Sequence, residues 1–282
     1  MRPHGRAGRR EEGGRAARHR ARHAGGRADV RRRPRPAQGV APPVLPESAG
    51  QVTDAAGTLV YFYRDCVFRV SDGVQPPKAG SLFFCRHLDV RAGERMLEIG
   101  AGLGFAAVLA ARAGARVVAT DVVPGAVEAM RANAALNGVT LDARLGDCYA
   151  PVRDERFDLV CSNPPQMPTP PDRERHDATA AADNGGPDGW RVLDRVIAGA
   201  PAHLVPGGRL VFTIFAFLGC KTALAKLDAA GLTPRIVASE VQTFPRIGYE
   251  RLEHLRATDA EATLPSGLPD RVERFVVEGR LG

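Results

Sequence analysis

From Arg95 onward the chain switches repeatedly between two hydrophobic patterns. Short apolar runs bounded by Gly, Pro or Asp read as buried strands, and the longer stretches between them repeat apolar positions at helical spacing. RMLEIG (95–100) predicts a strand and FAAVLAARAG (105–114) a helix stopped by Gly114. ARVVATD (115–121) is a second strand, followed by a helix over 124–138 that Pro124 opens and Asn137-Gly138 closes. LDARLGD (141–147) and FDLVCSNP (157–164) are the third and fourth strands. WRVLDRVIAGA (190–200) is a helix with Trp190, Leu193, Ile197 and Ala200 on one stripe. GGRLVFTIFAF (207–217) is the fifth strand, KTALAKLDAAG (221–231) a helix, PRIVASEVQTF (234–244) the sixth strand and RVERFVVEGRL (271–281) the seventh. Alternation of this kind predicts an α/β fold, a doubly wound, mostly parallel sheet of seven strands covered on both faces.

Upstream the pattern is different. TLVYFYRDCVFRVS predicts an N-terminal β-hairpin, strands 58–63 and 66–71 joined at Arg64-Asp65. After a turn at Gly73 and Pro76-Pro77, AGSLFFCRHLDV predicts a short helix burying Leu82, Phe83 and Leu88. The expected organisation is a disordered tail and linker over 1–50, the hairpin and short helix over 51–90, and the main domain over 91–282.

Charge changes the picture only at the N-terminus. The net charge is +7, yet residues 1–40 hold 13 Arg and no Lys against 3 acidic residues, which leaves the remainder slightly acidic. That segment contains no Phe, Trp, Tyr, Leu or Ile, so it cannot bury enough apolar surface to offset its ordering entropy. It reads either as an arm for phosphate-bearing partners or as sequence upstream of the true start; no aromatic is interleaved for base stacking. The five cysteines, Cys66, Cys85, Cys148, Cys161 and Cys220, are scattered and form no CxxC pair. The expectation is a reduced, cytoplasmic protein without a zinc ribbon or other metal site. No apolar run is long enough for a membrane span and no secretory signal precedes the first strand.

Candidate chemistry sits where strands end, the rim at which open α/β sheets bind ligands. The first strand runs into Glu98-Ile99-Gly100-Ala101-Gly102-Leu103-Gly104, a loop whose glycines allow tight turns and close backbone approach. Phe105 occupies the position where the dinucleotide fingerprint needs Gly or Ala, which disfavours a nicotinamide-dependent oxidoreductase. Asp121 ends the second strand 17 residues after Gly104, placed to accept from ribose hydroxyls, and Asp147 ends the third, placed to accept from an adenine amine. The fourth strand ends in Ser162-Asn163-Pro164-Pro165-Gln166. Two prolines remove two backbone donors, so the Asn163 side-chain oxygen and the Pro164 carbonyl can accept both hydrogens of an –NH₂ group. That would aim a nitrogen lone pair by positioning alone.

These residues together resemble the class I S-adenosylmethionine-dependent methyltransferases, and within them the Asn-Pro-Pro-aromatic N-methyltransferases that include the protein-glutamine (release-factor) enzymes. The resemblance runs from about Thr58 to Gly282 and includes Gln75-Pro76-Pro77 and Gly185-Gly186-Pro187-Asp188-Gly189. It implies a Rossmann-like sheet, S-adenosyl-L-methionine as cofactor, and catalysis by Asn163, Pro164, Pro165 and Gln166. Cofactor contacts are implied for Glu98, Gly100, Ala101, Gly102, Leu103, Gly104, Asp121, Val122, Asp147, Cys148 and Asn163.

The chain departs from the family's pattern in two places. Gln166 stands where the family carries Tyr or Phe, offering hydrogen bonds but no π face. The helical N-terminal domain of the release-factor enzymes is replaced by the Arg-rich segment and the hairpin. Both departures point to an amine- or amide-bearing small molecule, amino acid or peptide as acceptor. A release-factor or rRNA N-methyltransferase using the Arg segment for docking is the alternative, and a cofactor-binding protein without transfer activity is a third. His176 in the 166–187 loop reads as a solvated loop residue, with a general base as the sharper reading. Oligomeric state leaves no signature.

Overall fold

The computed structural model describes residues 49–174 and 182–282. The Arg-rich segment and His176 lie outside these residues. A seven-stranded sheet has the order β6-β5-β4-β7-β8-β10-β9, built from β4 (Arg95–Ile99), β5 (Arg116–Asp121), β6 (Asp142–Leu145), β7 (Phe157–Ser162), β8 (Leu204–Phe215), β9 (Leu232–Thr243) and β10 (Arg271–Leu281). Pairs among β6, β5, β4, β7 and β8 are parallel, and β10 runs antiparallel between β8 and β9. The expected seven-stranded, mostly parallel sheet is therefore the observed one. The chain leaves β4 outward through β5 and β6 and returns to β7 on the other side of β4, so the loops after β4 and β7 diverge. A crevice at that divergence follows from the topology.

Two apolar layers flank the sheet. On one face α4 (Leu193–His203) and α5 (Cys220–Ala229) bury Leu193, Ile197 and Leu227 against Phe157 and Phe212. On the other, α1 (Ala79–His87), α2 (Phe105–Arg112) and α3 (Pro124–Leu136) bury Phe83, Phe105 and Met130 against Met96 and Leu159. In α1 the buried side chains are Phe83, Phe84 and Cys85, whereas Leu82 and Leu88 are only half-buried, a rotation from the expected face.

The N-terminal hairpin gains a third strand. β1 (Ala49–Thr53) pairs antiparallel with β2 (Leu59–Tyr63), which pairs with β3 (Cys66–Val70). The linker expected through residue 50 thus gives way to strand at residue 49. A local device explains it: the Asp54 carboxylate accepts from the N–H groups of Ala56 (2.9 Å) and Thr58 (2.8 Å), closing the β1–β2 turn.

Ring packing and side-chain hydrogen bonds fasten this small sheet. Phe105, which breaks the dinucleotide pattern, packs among Tyr61, Tyr63 and Phe68 at ring separations of 4.8–6.0 Å. Along α3, Asn133 and Asn137 act as surrogate strand residues toward β3. Asn137 accepts from Val67 N–H (2.8 Å) and donates to its carbonyl (2.7 Å), and Asn133 does the same with Arg69 (2.8 and 3.1 Å). Asn133 also donates to the Leu103 carbonyl at 3.0 Å, joining the hairpin to the glycine loop.

Candidate active site

The β4 loop leaves the sheet through Gly100, Gly102 and Gly104, all at positive φ (71°, 57° and 84°). A Cβ at Gly100 or Gly102 would meet no atom within 4 Å, because both face open cavity. Gly104 is glycine for another reason: its Cβ would fall 3.0 Å from Met130 of α3. Asp121 holds the loop in place, accepting from Gly102 N–H through Oδ2 and from Val123 N–H through Oδ1, both at 2.9 Å. Asp121 also lines a cavity of about 280 Å³, together with Val122, Asp147, Cys148, Gly146 and Pro165. Asp147 is half-exposed at that rim, and a 2.6 Å ion pair with Arg195 holds its carboxyl below the usual range. Cys148 adopts positive φ (46°), and burial pushes its thiol up to about 11.

A second cavity, of about 230 Å³, adjoins the first. Gly100 and Gly102 line both, together with Gln75 and Asn163; Glu98, Ala101, Leu103, Pro164 and Gln166 line the second alone. Glu98 is buried and its Oε2 has no hydrogen-bond partner among the described residues, so burial pushes its pKa up to about 8. A buried carboxyl with a free oxygen beside a cavity suits a ligand ammonium, which would restore its ionised form.

Asn163 stands at the junction of the cavities, and its surroundings come from β8. The Thr213 hydroxyl, fully buried, donates to Asn163 Oδ1 at 2.6 Å. Gln166 is also buried and spends its amide on the same strand, Oε1 accepting from Phe215 N–H (2.8 Å) and Nε2 donating to the Thr213 carbonyl (3.2 Å). Nε2 further reaches the Pro164 carbonyl at 3.4 Å. The resemblance implied a catalytic role for Gln166, and in the structure both ends of its amide are bonded within the protein. These bonds brace the loop carrying Asn163 and Pro164.

The Gly185–Gly189 stretch also braces that loop. A Cβ at Gly185 would lie 2.7 Å from Gln166 backbone atoms, and one at Gly189 would lie 2.7 Å from the Gln166 carbonyl oxygen. Backbone bonds from Gly185 N–H to the Met167 carbonyl (3.0 Å) and from Thr169 N–H to the Gly186 carbonyl (2.8 Å) complete the clasp. Gln75 reaches over from the N-terminal side and donates to Asp183 Oδ2 at 3.0 Å.

Sequence reasoning missed Thr213, Phe215 and Arg274 at this site. A signal for Thr213 existed: it is the one polar residue in the apolar run LVFTIFAF. Among the described residues no group of three His, Cys, Asp or Glu side chains is placed to hold a metal, and no helix is long and apolar enough to cross a membrane.

Residues 74–181 match the Methyltransferase small domain family. A candidate protein N5-glutamine methyltransferase of Methanocaldococcus jannaschii is 32% identical over 166 residues, covering 58% of this chain and 84% of the relative. The chain belongs to the S-adenosylmethionine-dependent methyltransferases. A release factor glutamine methyltransferase of Cereibacter sphaeroides is 37% identical over 167 residues, covering 56% of this chain and 59% of the relative. The match thus spans little more than half the length of that methyltransferase. A Pyrococcus furiosus methyltransferase superposes with a TM-score of 0.52 at 18% identity, over 77% of this chain and 89% of its own, and shares the methyltransferase fold.

Proposed function

We propose that this methyltransferase acts on nitrogen, with a glutamine-type side-chain amide of an amino acid or peptide as acceptor. The observation that carries the reading is Asn163 at the junction of two cavities, its side-chain oxygen oriented by Thr213. Relatives named for glutamine methylation support the same acceptor.

The residues fit S-adenosylmethionine. Open space beside Gly100 and Gly102 admits a ligand against the backbone, the Asp121 carboxylate faces the larger cavity, and the orphaned Glu98 oxygen suits an ammonium. The cofactor supplies a methyl group already activated on sulfur. The chain's share is placement. Asn163 Oδ1 keeps one lone pair beyond the Thr213 bond, and with the Pro164 carbonyl it accepts the two N–H bonds of the acceptor, leaving the nitrogen lone pair directed at the cavity junction. Positive charge grows on the nitrogen as its new bond to carbon forms, so both hydrogen bonds strengthen in the transition state and raise turnover. The released N–H proton passes to water.

Calorimetry tests the reading before any acceptor is known. S-adenosylhomocysteine should bind and NAD should not. Binding of NAD without response to S-adenosylhomocysteine overturns it.

A further inference from the structure

Arg274 of β10 brings a buried cation to the acceptor side of the site. It is 8% exposed and lines the smaller cavity. Its guanidinium lies 3.7 Å from the centroid of the Phe215 ring, which itself stacks on Phe217 at 4.9 Å. Among the described residues no carboxylate pairs with it, and its Nε has no hydrogen-bond partner. An acid is at hand in the sheet: Glu240 lies directly across in the β9–β10 register, but Arg86 and Gln242 engage it instead. The site also makes room for the cation. A Cβ at Gly80, in the first turn of α1, would fall 1.8 Å from Nη1.

Buried charges are ordinarily paired, because an isolated one carries its full desolvation cost. Burial draws the Arg274 pKa down only to about 10, so the cation persists at neutral pH. Glu98 and Asp183 also line this cavity, but among the described residues neither pairs with Arg274, so the buried cation calls for an anion from a ligand. The first turn of α1 adds to the field: Gly80 and Ser81 line the same cavity, with the Lys78 ammonium at its mouth, 3.6 Å from Asp183.

Strand order separates Arg274 from the larger cavity. Asp121 ends β5, and with the loops after β4 and β6 it lines the larger cavity on one side of β7, the strand that precedes Asn163. Arg274 belongs to β10, two strands away on the other side, about 10 Å by ordinary strand spacing. We propose that Arg274 receives a carboxylate of the methyl acceptor, so that the substrate class is an acidic amide such as an amino acid or a chain-terminal residue, held at Asn163 by nitrogen and at Arg274 by its carboxylate. This inference rests on the nitrogen-methyltransferase reading above.

Calorimetry on the full chain tests it in two arms. The first compares S-adenosylhomocysteine with methylthioadenosine, which lacks the amino-acid end, in wild type, Arg274→Gln and Arg274→Met. Both ligands should keep their affinities within about twofold. A loss confined to S-adenosylhomocysteine overturns the proposal, because Arg274 would then hold the cofactor's own carboxylate. The second arm titrates S-adenosylhomocysteine-loaded protein with L-glutamine, glutaramate and L-glutaminamide. The two carboxylates should bind wild type at least about tenfold more tightly than glutaminamide, and both variants should lose the preference. Equal binding of glutaminamide, retention of the preference in the variants, or no carboxylate binding by loaded wild type each overturns the proposal. The wild-type titrations stand whether or not the variants fold. Failure of the second arm alone leaves the methyltransferase reading intact, whereas absence of S-adenosylhomocysteine binding removes that reading and this one together.

Discussion

The Thr213 hydroxyl donates a 2.6 Å hydrogen bond to the side-chain oxygen of Asn163, joining residues fifty positions apart at the ends of neighbouring strands. β7 and β8 are parallel and place Ser162 opposite Phe212, so the next residue on each strand meets its counterpart just beyond the ladder. The bond orients the Asn163 amide and leaves its oxygen one free lone pair, which is what an acceptor-orienting oxygen needs.

Thr213→Val should therefore lower turnover while leaving S-adenosylhomocysteine affinity unchanged. One uncharged hydrogen bond suggests a loss of about 0.5–1.5 kcal/mol, or several-fold in rate. Asn163→Ala should cost more, on the order of 2.7–4 kcal/mol, by analogy with removal of one oxyanion-hole donor. Steady-state kinetics beside calorimetry separate the effects; equal turnover in Asn163→Ala would leave the loop a purely structural element.

Asp121→Ala removes the acceptor for Gly102 and Val123 N–H as well as the carboxylate facing the larger cavity. Cofactor affinity should fall by roughly 1.5–3 kcal/mol, the range for hydrogen bonds to a charged group. Calorimetric titration with S-adenosylhomocysteine reads this directly, and an unchanged dissociation constant would place the ribose elsewhere.

Gly185→Ala should destabilise the fold and slow turnover together, since the new methyl group would stand 2.7 Å from the Gln166 backbone. Overpacking of this kind costs about 1–3 kcal/mol. Gly125→Ala, in the first turn of α3 with no atom within 4 Å of the added carbon, serves as the control. It should be neutral or stabilising by up to about 1 kcal/mol in chemical denaturation.

Glu98 makes stability depend on pH. Its folded-state pKa is raised to about 8, so between the ordinary carboxylate value and that point the native state holds a proton that the unfolded chain has lost. Stability of the ligand-free protein should accordingly fall as pH rises across roughly 4.5 to 8. Glu98→Gln, which cannot ionise, should remove that slope. Urea midpoints at pH 5 and pH 8 compare the two proteins; parallel profiles would mean that Glu98 is ionised and paired in solution.

The chain itself determined the strand and helix sequence, the glycine loop, Asp121 and the Asn163-Pro164-Pro165 turn, because each is written in contiguous residues whose local physics is decisive. Apolar runs bury, prolines remove donors, and glycines allow positive φ, wherever the rest of the fold lies. Tertiary structure decided what depends on register and strand order. Gln166 looks like a substrate-facing residue until β8 lies beside it and takes both ends of its amide. Phe105 reads as a broken fingerprint until the small sheet packs on its ring. Asn133 and Asn137 read as ordinary helix residues until β3 comes within reach of their amides. Arg274 is one arginine among many in the sequence, and only the antiparallel insertion of β10 beside β8 sets it over Phe215 with no carboxylate paired to it among the described residues. Local pattern carries no information about partners brought together by sheet pairing, since hydrogen bonds and charge pairing depend on distances that only the folded chain sets.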